Sequence, residues 1–338
     1  MHKEQYLYLL NFITSKCFKW LPRKKKVIRH ILVVKWDEIG DMVYAIPLFD
    51  LLKKQFPDSN LTLLCKPAAA QLLLHQKSID HIVHQLDNNP VDIWIELRGT
   101  FSTWFKSVLA FPIIRLDRGS VRIKNKISGG QQHELNTNLL AIKPLFTVNE
   151  FDSIKSTVKP IINTDSKNNA FAKAFLEQHK LNTFYLFHTG ASVPERRWPI
   201  ERFATLAHKI HSELGMPLVL IGGPDEANFI AEHLELFPTT TLSLVGKASL
   251  TDIAALSKHA DFFIGNESGP IHIVSTAEIP VIGLYGPGVR DVFYPLGNKV
   301  KIIHHFLEKG HTKQTVQNST INQISVDEVW EELNKLIL

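Results

Sequence analysis

The sequence Asp261-Phe-Phe-Ile-Gly-Asn-Glu-Ser-Gly-Pro-Ile-His272, continued by Pro280-Val-Ile-Gly-Leu-Tyr-Gly-Pro287, decides the fold class. An apolar run, a polar turn and a second apolar run predict a buried strand, a loop that opens a helix, and another buried strand. Ser268 suits the N-cap, Gly269 lets a ligand approach the backbone, and Pro270 suits the first helical position. Free N–H groups at a helix start attract anions, so we predict a phosphate-binding turn, with an ordinary capped helix as the alternative.

Strand and helix signals alternate along the rest of the chain, which is typical of parallel sheets flanked by helices. The predicted strands are 31–35, 61–65, 92–97, 184–187, 217–221, 242–245 and 261–264. The predicted helices are 41–56, 67–76, 199–214, 224–236, 250–259 and 325–338. Residues 115–133 are predicted to be an irregular basic segment, and 148–182 to carry the crossing between domains.

These signals predict an α/β protein with two doubly wound, Rossmann-like domains. The predicted division is a basic and aromatic segment over 1–30, a first domain over 31–165 and a second over 166–324. A C-terminal helix is predicted over 325–338, and it could pack back on the first domain. Ligands of doubly wound sheets bind at the carboxyl ends of the strands, so we expect a site in a central cleft lined by three loops at such ends.

The amino-acid composition excludes several classes of protein. The chain has 338 residues, of which 44% are hydrophobic, and two cysteines, Cys17 and Cys65. Two cysteines argue against a disulfide framework, and no apolar run reaches the roughly 20 residues of a membrane span. The start of the chain lacks the pattern of a secretory signal, so a cytoplasmic protein is expected.

The first 30 residues combine an aromatic and apolar stretch, Tyr6 to Ile13, with a basic cluster. The basic residues are Lys16, Lys19, Arg23, Lys24, Lys25, Lys26 and Arg29. A helix that caps the first domain, followed by a solvated charge run, is one interpretation. Peripheral contact with an anionic membrane, where each cation contributes about 1 kcal/mol, is a compatible second one. Nucleic acid is not an expected partner, because the chain has no other basic surface interleaved with aromatic residues.

Three loops carry candidate chemistry. In Lys35-Trp-Asp-Glu-Ile-Gly-Asp41, the carboxylate of Asp41 is a candidate general base or, alternatively, a capping acid. In His188-Thr-Gly-Ala-Ser-Val-Pro-Glu-Arg-Arg-Trp-Pro199, two arginines precede a helix and are either phosphate ligands or solvated side chains. The third loop is the turn at Glu267–Pro270.

Together these segments resemble glycosyltransferase family nine, the bacterial heptosyltransferases of the lipopolysaccharide inner core. The matching elements, in chain order, are the strand with Ile39-Gly-Asp41 and the helix bearing Pro47, then His133-Glu134, Arg196-Arg-Trp-Pro199, Asn266-Glu-Ser-Gly-Pro-Ile-His272 and Leu284-Tyr-Gly-Pro287. The resemblance implies the GT-B fold and inverting, metal-independent transfer from ADP-heptose to a lipid-linked glycan acceptor. The basic segment 115–133 suits an anionic acceptor, with an exposed, solvated loop as the alternative. The expected place of action is the cytoplasm, with contact at the cytoplasmic face of the inner membrane as an option.

The resemblance and the loops give a set of candidate site residues. The expected catalytic base is Asp41, and no metal ligand or cofactor is expected. The expected donor-binding residues are Lys35, Thr189, Ser192, Arg196, Glu267, Ser268, Gly269, Pro270 and His272. The expected acceptor-binding residues are Gly40, Tyr44, Arg98, Arg118, Arg122, Lys124 and His133.

The chain departs from the family pattern at several of these positions. Glu267 stands where the family usually has Asp, Arg196 where it has Lys, and Tyr44 where it commonly has His. Trp36-Asp37-Glu38 replaces small hydroxyl-bearing residues and adds negative charge beside the expected phosphate site.

Several other functions are weighed against this one. A nicotinamide-dependent dehydrogenase and a P-loop enzyme are disfavoured, because the glycine patterns that those classes need are missing. The pair His208 and His211 lacks the Glu partner of a zinc enzyme, and there is no Gly-x-Ser-x-Gly elbow. Two alternatives stay open: a related transferase that uses another nucleotide sugar, and an inactive relative that binds a nucleotide or glycan as an assembly partner.

Overall fold

The computed structural model describes residues 3–19, 27–87, 89–128, 130, 132–286, 292–305 and 320–337. The chain divides into two compact units, one formed by 1–161 with 291–293 and the other by 162–290 with 294–338. The predicted basic residues Arg23, Lys24, Lys25 and Lys26 lie outside the described residues. In the part of the chain that is described, no helix has the length and apolar character needed to cross a bilayer.

The first unit is a five-stranded parallel sheet with helices around it. Its elements in chain order are α1 (Lys3–Lys19), β1 (His30–Lys35), α2 (Ile39–Val43), α3 (Ile46–Gln55), β2 (Asn60–Cys65), α4 (Pro67–Ala70), β3 (His81–Val83), β4 (Ile93–Arg98), α5 (Phe101–Leu109), β5 (Ile114–Asp117), α6 (Arg118–Ile127), α7 (Glu134–Ile142) and α8 (Val148–Thr157).

The strand order of the first sheet is β3-β2-β1-β4-β5. Strand β1 lies at the centre, and its run Ile31-Leu-Val-Val34 is buried on both faces, as a central parallel strand requires. The chain moves outward from β1 to one edge and then crosses to β4 on the other side. A topological switch point therefore lies between β1 and β4, where the two connecting loops leave in opposite directions.

The second unit contains a six-stranded parallel sheet. Its elements are α9 (Ser166–His179), β6 (Tyr185–His188), α10 (Ile200–Leu214), β7 (Leu218–Leu220), α11 (Ala227–His233), β8 (Leu242–Ser243), α12 (Leu250–Ser257), β9 (Phe262–Asn266), α13 (Gly269–Ser275), β10 (Val281–Tyr285), β11 (Val300–His304) and α14 (Val326–Ile337). The strand order is β11-β10-β9-β6-β7-β8, with the switch point between β6 and β9.

Aromatic side chains fill the core on one face of the second sheet. Tyr185 stacks on Phe262 with ring centroids 5.0 Å apart, and Trp198 meets Phe203 edge to face at 4.9 Å. Such pairs each contribute about 0.5–1.5 kcal/mol beyond their buried area. Trp198 also donates from Nε1 to the carbonyl of Ile324 at 2.9 Å, which ties the loop before α10 to the core.

The predicted α/β class and the two Rossmann-like sheets are confirmed, while several local predictions are wrong. Residues 115–133 contain β5 and α6 rather than irregular chain, because Asp117 caps α6 by accepting from the Ser120 amide. Residues 148–182 contain α8 and α9, which begin at capping boxes, and the division between the two units at 161 and 162 lies between these helices, inside the range predicted for the crossing. The predicted helix 41–56 is two helices, α2 and α3, and α3 starts afresh with Pro47 in its first turn.

The C-terminal helix α14 packs against the core of the second unit. This packing replaces the suggestion from the sequence that the helix packs back on the first domain. Val329 and Leu333 lie in the same hydrophobic core as Phe203 of α10. Lys209 of α10 binds Asp327 at 2.7 Å and lies over the Trp330 ring at 5.6 Å. The apolar residues of α14 recur at helical spacing, so one face of the helix fits this core.

Candidate active site

The two switch points place polar residues at the carboxyl ends of the central strands. In the first unit Lys35 ends β1 and Arg98 ends β4, and the two are register partners next to an irregularity in the pairing. In the second unit His188 ends β6 and Asn266 ends β9. Each unit therefore presents its own polar group of residues where a Rossmann-like fold binds its ligand.

A buried ion network forms the base of the site in the first unit. Lys35 Nζ contacts the carboxylate of Asp37 and lies 3.2 Å from Glu134 Oε1. Arg118 pairs with the same two acids, at 3.3 Å from Asp37 Oδ2 and in close contact with Glu134. Burial and the nearby charge of Arg118 lower the pKa of Lys35 to about 8. Lys35, predicted to help bind the donor, is thus fully enclosed by acids and has no exposed ammonium surface for a phosphate.

Two further arginines extend this network towards the surface. Arg98 Nη1 lies 2.8 Å from Asp37 Oδ1, and Arg122 Nη2 lies 2.7 Å from Glu134 Oε2. Both guanidinium side chains stay partly exposed, at 38% and 30%. Burial alone would raise the pKa of Asp37, but the charges of Lys35, Arg118 and Arg98 lower it. The negative charge that Asp37 adds to the loop is therefore neutralised inside the protein.

Asp41 is the carboxylate that the network leaves unpaired. It lies in the first turn of α2 and is half-buried, and no hydrogen bond or ion pair is found for it among the described residues. Burial raises the pKa of Asp41, the negative charge of Asp37 adds to this effect, and the charges of Lys35, Arg118 and Arg98 oppose it. A partly exposed carboxylate with a raised pKa and no internal partner is suited to accept a proton from a ligand hydroxyl.

The other predicted acceptor residues divide into two groups. Tyr44 and His133 are buried and pack edge to face with ring centroids 4.6 Å apart, so they support the loops rather than offer a surface. Gly40 precedes Asp41 in α2 and is partly exposed. Lys124 is exposed on α6 and lines a different groove, with Phe12 and Pro144.

A hydrogen-bonded chain of three side chains forms the centre of the site in the second unit. Ser268 Oγ lies 2.9 Å from His188 Nδ1, and His188 Nε2 lies 3.0 Å from Glu226 Oε2. Glu226 also accepts from the Gly223 amide at 2.9 Å. Ser268 occupies the N-cap position of α13 as predicted, but its hydroxyl makes no capping bond to the helix and binds His188 instead. Burial would raise the pKa of Glu226, but the hydrogen bond and charge of His188 lower it.

Two glycines make room for the Glu226 carboxylate. A Cβ atom on Gly190 would lie 1.3 Å from Glu226 Oε1, and one on Gly222 would lie 2.4 Å from Oε2. We expect Gly190→Ala to displace Glu226, break its bond to His188 and lower the free energy of unfolding by about 1–2 kcal/mol. Chemical denaturation checks this value. Gly223→Ala is the matched control, because its Cβ would meet nothing within 4 Å; equal effects of the two changes would contradict the assignment.

Asn266 fastens the arginine-bearing loop to the end of β9. Its Oδ1 accepts from the Trp198 amide at 3.1 Å, and its Nδ2 donates to the carbonyl of Thr189 at 2.7 Å. Thr189 is buried, whereas Ser192 is exposed on the same loop. The loop is held at both ends and presents its central residues outward.

Arg196 and Glu267 form the charged part of this second group. Arg196 Nη1 lies 3.5 Å from Glu267 Oε1, and the guanidinium side chain is 34% exposed. Burial raises the pKa of Glu267 to about 7, because the charge of Arg196 offsets it only in part. Gly269 and Pro270 are partly exposed beside them, while His272 is buried one turn into α13.

The sequence indicated Asp41, Arg196 and the Ser268 loop as candidates, but the contacts that Asp37, Glu134, His188, Glu226 and Asn266 make in the folded protein were not predicted. His188 and Asn266 end their strands, and that position was the available signal. The partnership of Glu226 with His188 joins residues 38 apart, for which local sequence gives no sign. Within the described ranges, no group of three or more His, Cys, Asp or Glu residues is arranged to hold a metal ion.

Comparison with known proteins identifies the family to which the chain belongs. The family model "Glycosyltransferase family 9 (heptosyltransferase)" matches residues 81–324. Lipopolysaccharide heptosyltransferase 3 of Escherichia coli is 24% identical, over 77% of this chain and 84% of that protein.

Two solved structures share the fold over nearly their whole length. A family 9 glycosyl transferase from Veillonella parvula superposes with a TM-score of 0.76 at 21% identity, covering 94% of this chain and 99% of that one. The E. coli ADP-heptose lps heptosyltransferase II gives a TM-score of 0.70 at 20% identity, covering 91% and 98%. These neighbours confirm the predicted GT-B class, and with the family match over most of the chain they show that the protein belongs to glycosyltransferase family 9, the heptosyltransferases.

Proposed function

We propose that the protein transfers heptose from ADP-heptose to an acceptor of the lipopolysaccharide inner core, with inversion at the anomeric carbon and without a metal ion. The observation that carries this proposal is Asp41, an unpaired carboxylate with a raised pKa at the switch point of the first unit. The names of similar proteins support the donor, since one of the structural neighbours is an ADP-heptose enzyme.

In this proposal the second unit binds the donor. Arg196 and the loop Ser268–Pro270 would contact the diphosphate, because a guanidinium group and backbone N–H groups suit phosphate oxygens. His188 fixes the Ser268 hydroxyl, and Glu226 in turn fixes the His188 ring.

The first unit would bind the acceptor. Arg98 and Arg122 are the cations of the ion network with exposed surface, and both interact electrostatically with Asp41 or its neighbour Asp37. Arginine binds carboxylates and phosphates in bidentate fashion, so this surface suits an acceptor that carries acidic groups. Arg118, predicted to contact the acceptor, is buried, so its role would be to hold Glu134 and Asp37.

The proposed reaction is a single displacement. An acceptor hydroxyl attacks the anomeric carbon of the heptose while Asp41 accepts the hydroxyl proton. The new glycosidic C–O bond forms as the bond between that carbon and the diphosphate oxygen breaks, and ADP leaves with the electron pair. Negative charge therefore grows on the diphosphate, where fixed donors such as Arg196 stabilise the transition state most.

Glu267 gives a pH dependence to donor binding. Its pKa of about 7 means that it is neutral in acid and negatively charged in weak base, where it repels a diphosphate. We expect the affinity for ADP-ribose, a diphosphate diester without an ionisation near neutrality, to fall by about tenfold between pH 6 and pH 8. Isothermal titration calorimetry at a series of pH values measures this change.

Glu267→Gln is the matched variant for the pH experiment, because the amide has similar size and no charge. Its affinity curve should be flatter than that of the wild-type protein across the same range. If the affinity of the variant for ADP-ribose fell between pH 6 and pH 8 as much as that of the wild-type protein, the titrating group would be a residue other than Glu267.

A thermal-shift panel tests the donor class. ADP, UDP, GDP, CDP and NAD are compared, with and without magnesium. A nucleotide at about 100 times its Kd stabilises the fold by roughly 2.7 kcal/mol. We expect a response to ADP that magnesium does not change. A response to another nucleotide alone would replace the donor and favour a related transferase, and no response to any nucleotide would favour a non-catalytic binding partner.

A further inference from the structure

Two neighbouring helices of the first unit expose large apolar side chains. Helix α5 exposes Phe101, Phe105 and Leu109, which recur every four residues and so share one helix face. Helix α1 exposes Leu9 and Ile13. All five are between 44% and 67% exposed.

The two helices are joined, so their exposed residues belong to one region of the unit. Trp104 Nε1 of α5 donates to Thr14 Oγ1 of α1 at 3.1 Å. The opposite sides of the helices face inward, with Thr103 and Ser107 of α5 and Asn11 of α1 buried. The exposed residues are therefore outward faces that remain after the core is complete.

Phe111, just after α5, adds an exposed aromatic ring at a strained position. Its φ angle is +46°, in the left-handed region that favours glycine, and the residue is 64% exposed. A bulky residue in this region is a rare outlier, and such strain points to a functional use of the side chain. We call Leu9, Ile13, Phe101, Phe105, Leu109 and Phe111 the apolar face.

The charge around the apolar face is positive. Neither α5 nor α6 contains an acidic residue, and α6 packs against α1. Lys124 and Lys126 of α6 are exposed, and Lys106 of α5 is half-buried. Aromatic and aliphatic side chains bordered by lysines match the boundary of an anionic bilayer, where apolar groups insert and cations meet lipid phosphates.

We propose that the apolar face docks on the surface of an anionic phospholipid bilayer. The apolar face lies near the candidate acceptor site, so docking would help the protein reach a lipid-linked acceptor. This part of the inference rests on the proposed function. Helix α5 begins three residues after Arg98, and Leu7, Tyr8 and Asn11 of α1 line a common pocket with Arg98 and Gly99. Docking would bring a lipid-linked acceptor in the same bilayer close to the arginines that bind its head group.

Flotation of the full-length protein with lipid vesicles tests this proposal. Vesicles of phosphatidylethanolamine with phosphatidylglycerol are compared with vesicles of phosphatidylcholine, each at low and high salt. We expect binding to the anionic vesicles that weakens with salt. The double change Phe105→Ser with Leu109→Ser should lower the partition coefficient by at least about tenfold. Phe229→Ser with Leu236→Ser is the matched control on the second unit, where both residues are also exposed.

The outcomes separate the possible partners of the apolar face. Equal binding by the two double variants would overturn the proposal. So would concentration-dependent dimerisation of the wild-type protein that the Phe105 and Leu109 changes abolish, because a second copy would then cover the face. Vesicle binding is read without donor or turnover, so it stands or falls independently of ADP-heptose use. A deacylated, water-soluble acceptor should be used equally well by the Phe105/Leu109 variant and the wild-type protein.

Discussion

Asp41→Asn is expected to lower turnover by 10²–10⁴-fold, on the order of the contribution of a positioned general base, while the Kd for ADP stays within about twofold of the wild-type value. The amide cannot accept the acceptor proton, and it retains the size of the carboxylate. Asp41 belongs to the first unit, whereas the residues proposed to bind the diphosphate belong to the second, so donor affinity should be preserved. Steady-state ADP release and calorimetric ADP binding measure the two quantities.

Asp58→Asn is the control for Asp41→Asn. Asp58 is exposed and precedes β2, at the edge of the first sheet opposite to the carboxyl ends, and the substitution removes the same charge from the same unit. Its turnover should match that of the wild-type protein. Turnover of Asp41→Asn near the wild-type rate would remove Asp41 from the role of base, and an equal loss in both variants would indicate a general charge effect.

Glu134→Gln is expected to destabilise the protein by about 3–5 kcal/mol, the cost of leaving buried charges without their partner. Glu134 is fully buried and serves three cations, Lys35, Arg118 and Arg122. The amide has no charge to offset them and can accept fewer hydrogen bonds. Urea denaturation followed by circular dichroism measures the change in the free energy of unfolding.

Glu177→Gln provides the comparison for an exposed ion pair. Glu177 lies 3.7 Å from Lys173 one turn away on α9, and both side chains are largely exposed. Such pairs contribute about 0.5 kcal/mol or less, so this variant should unfold close to the wild-type midpoint. A loss of stability by Glu134→Gln as small as that of Glu177→Gln would show that the buried network does not hold the first unit together.

The fold could be predicted because its strands are short, continuous apolar runs separated by turns. Ile31-Leu-Val-Val34 and Phe262-Phe-Ile264 are buried on both faces, which makes them visible without knowledge of their neighbours. Helix α6 could not be predicted in this way, because its basic sequence gives a weak apolar pattern and its start depends on the Asp117 cap. The packing of α14 depends on contacts with α10, far away in the sequence.

Candidate residues could be selected from the sequence where one residue type stands at one loop position, as for Asp41 and Arg196. Contacts between residues far apart in the sequence could not be predicted. Asp37 and Glu134 are 97 positions apart yet enclose the same two cations. For that reason Lys35 resembled a phosphate ligand in the sequence, although two carboxylates surround it in the folded protein.

The most direct measurement is a transfer assay with purified protein, ADP-heptose and a lipopolysaccharide acceptor that lacks the heptose. Mass spectrometry follows the acceptor, and NMR of the product gives its anomeric configuration. We expect the acceptor to gain one heptosyl residue and ADP to be released in equal amount. The product should have the configuration inverted relative to the donor, and a metal chelator should not reduce the rate. Three results would contradict the proposed function. They are transfer from a different nucleotide sugar only, a product with retained configuration, and no transfer from any donor although the protein is folded and binds ADP.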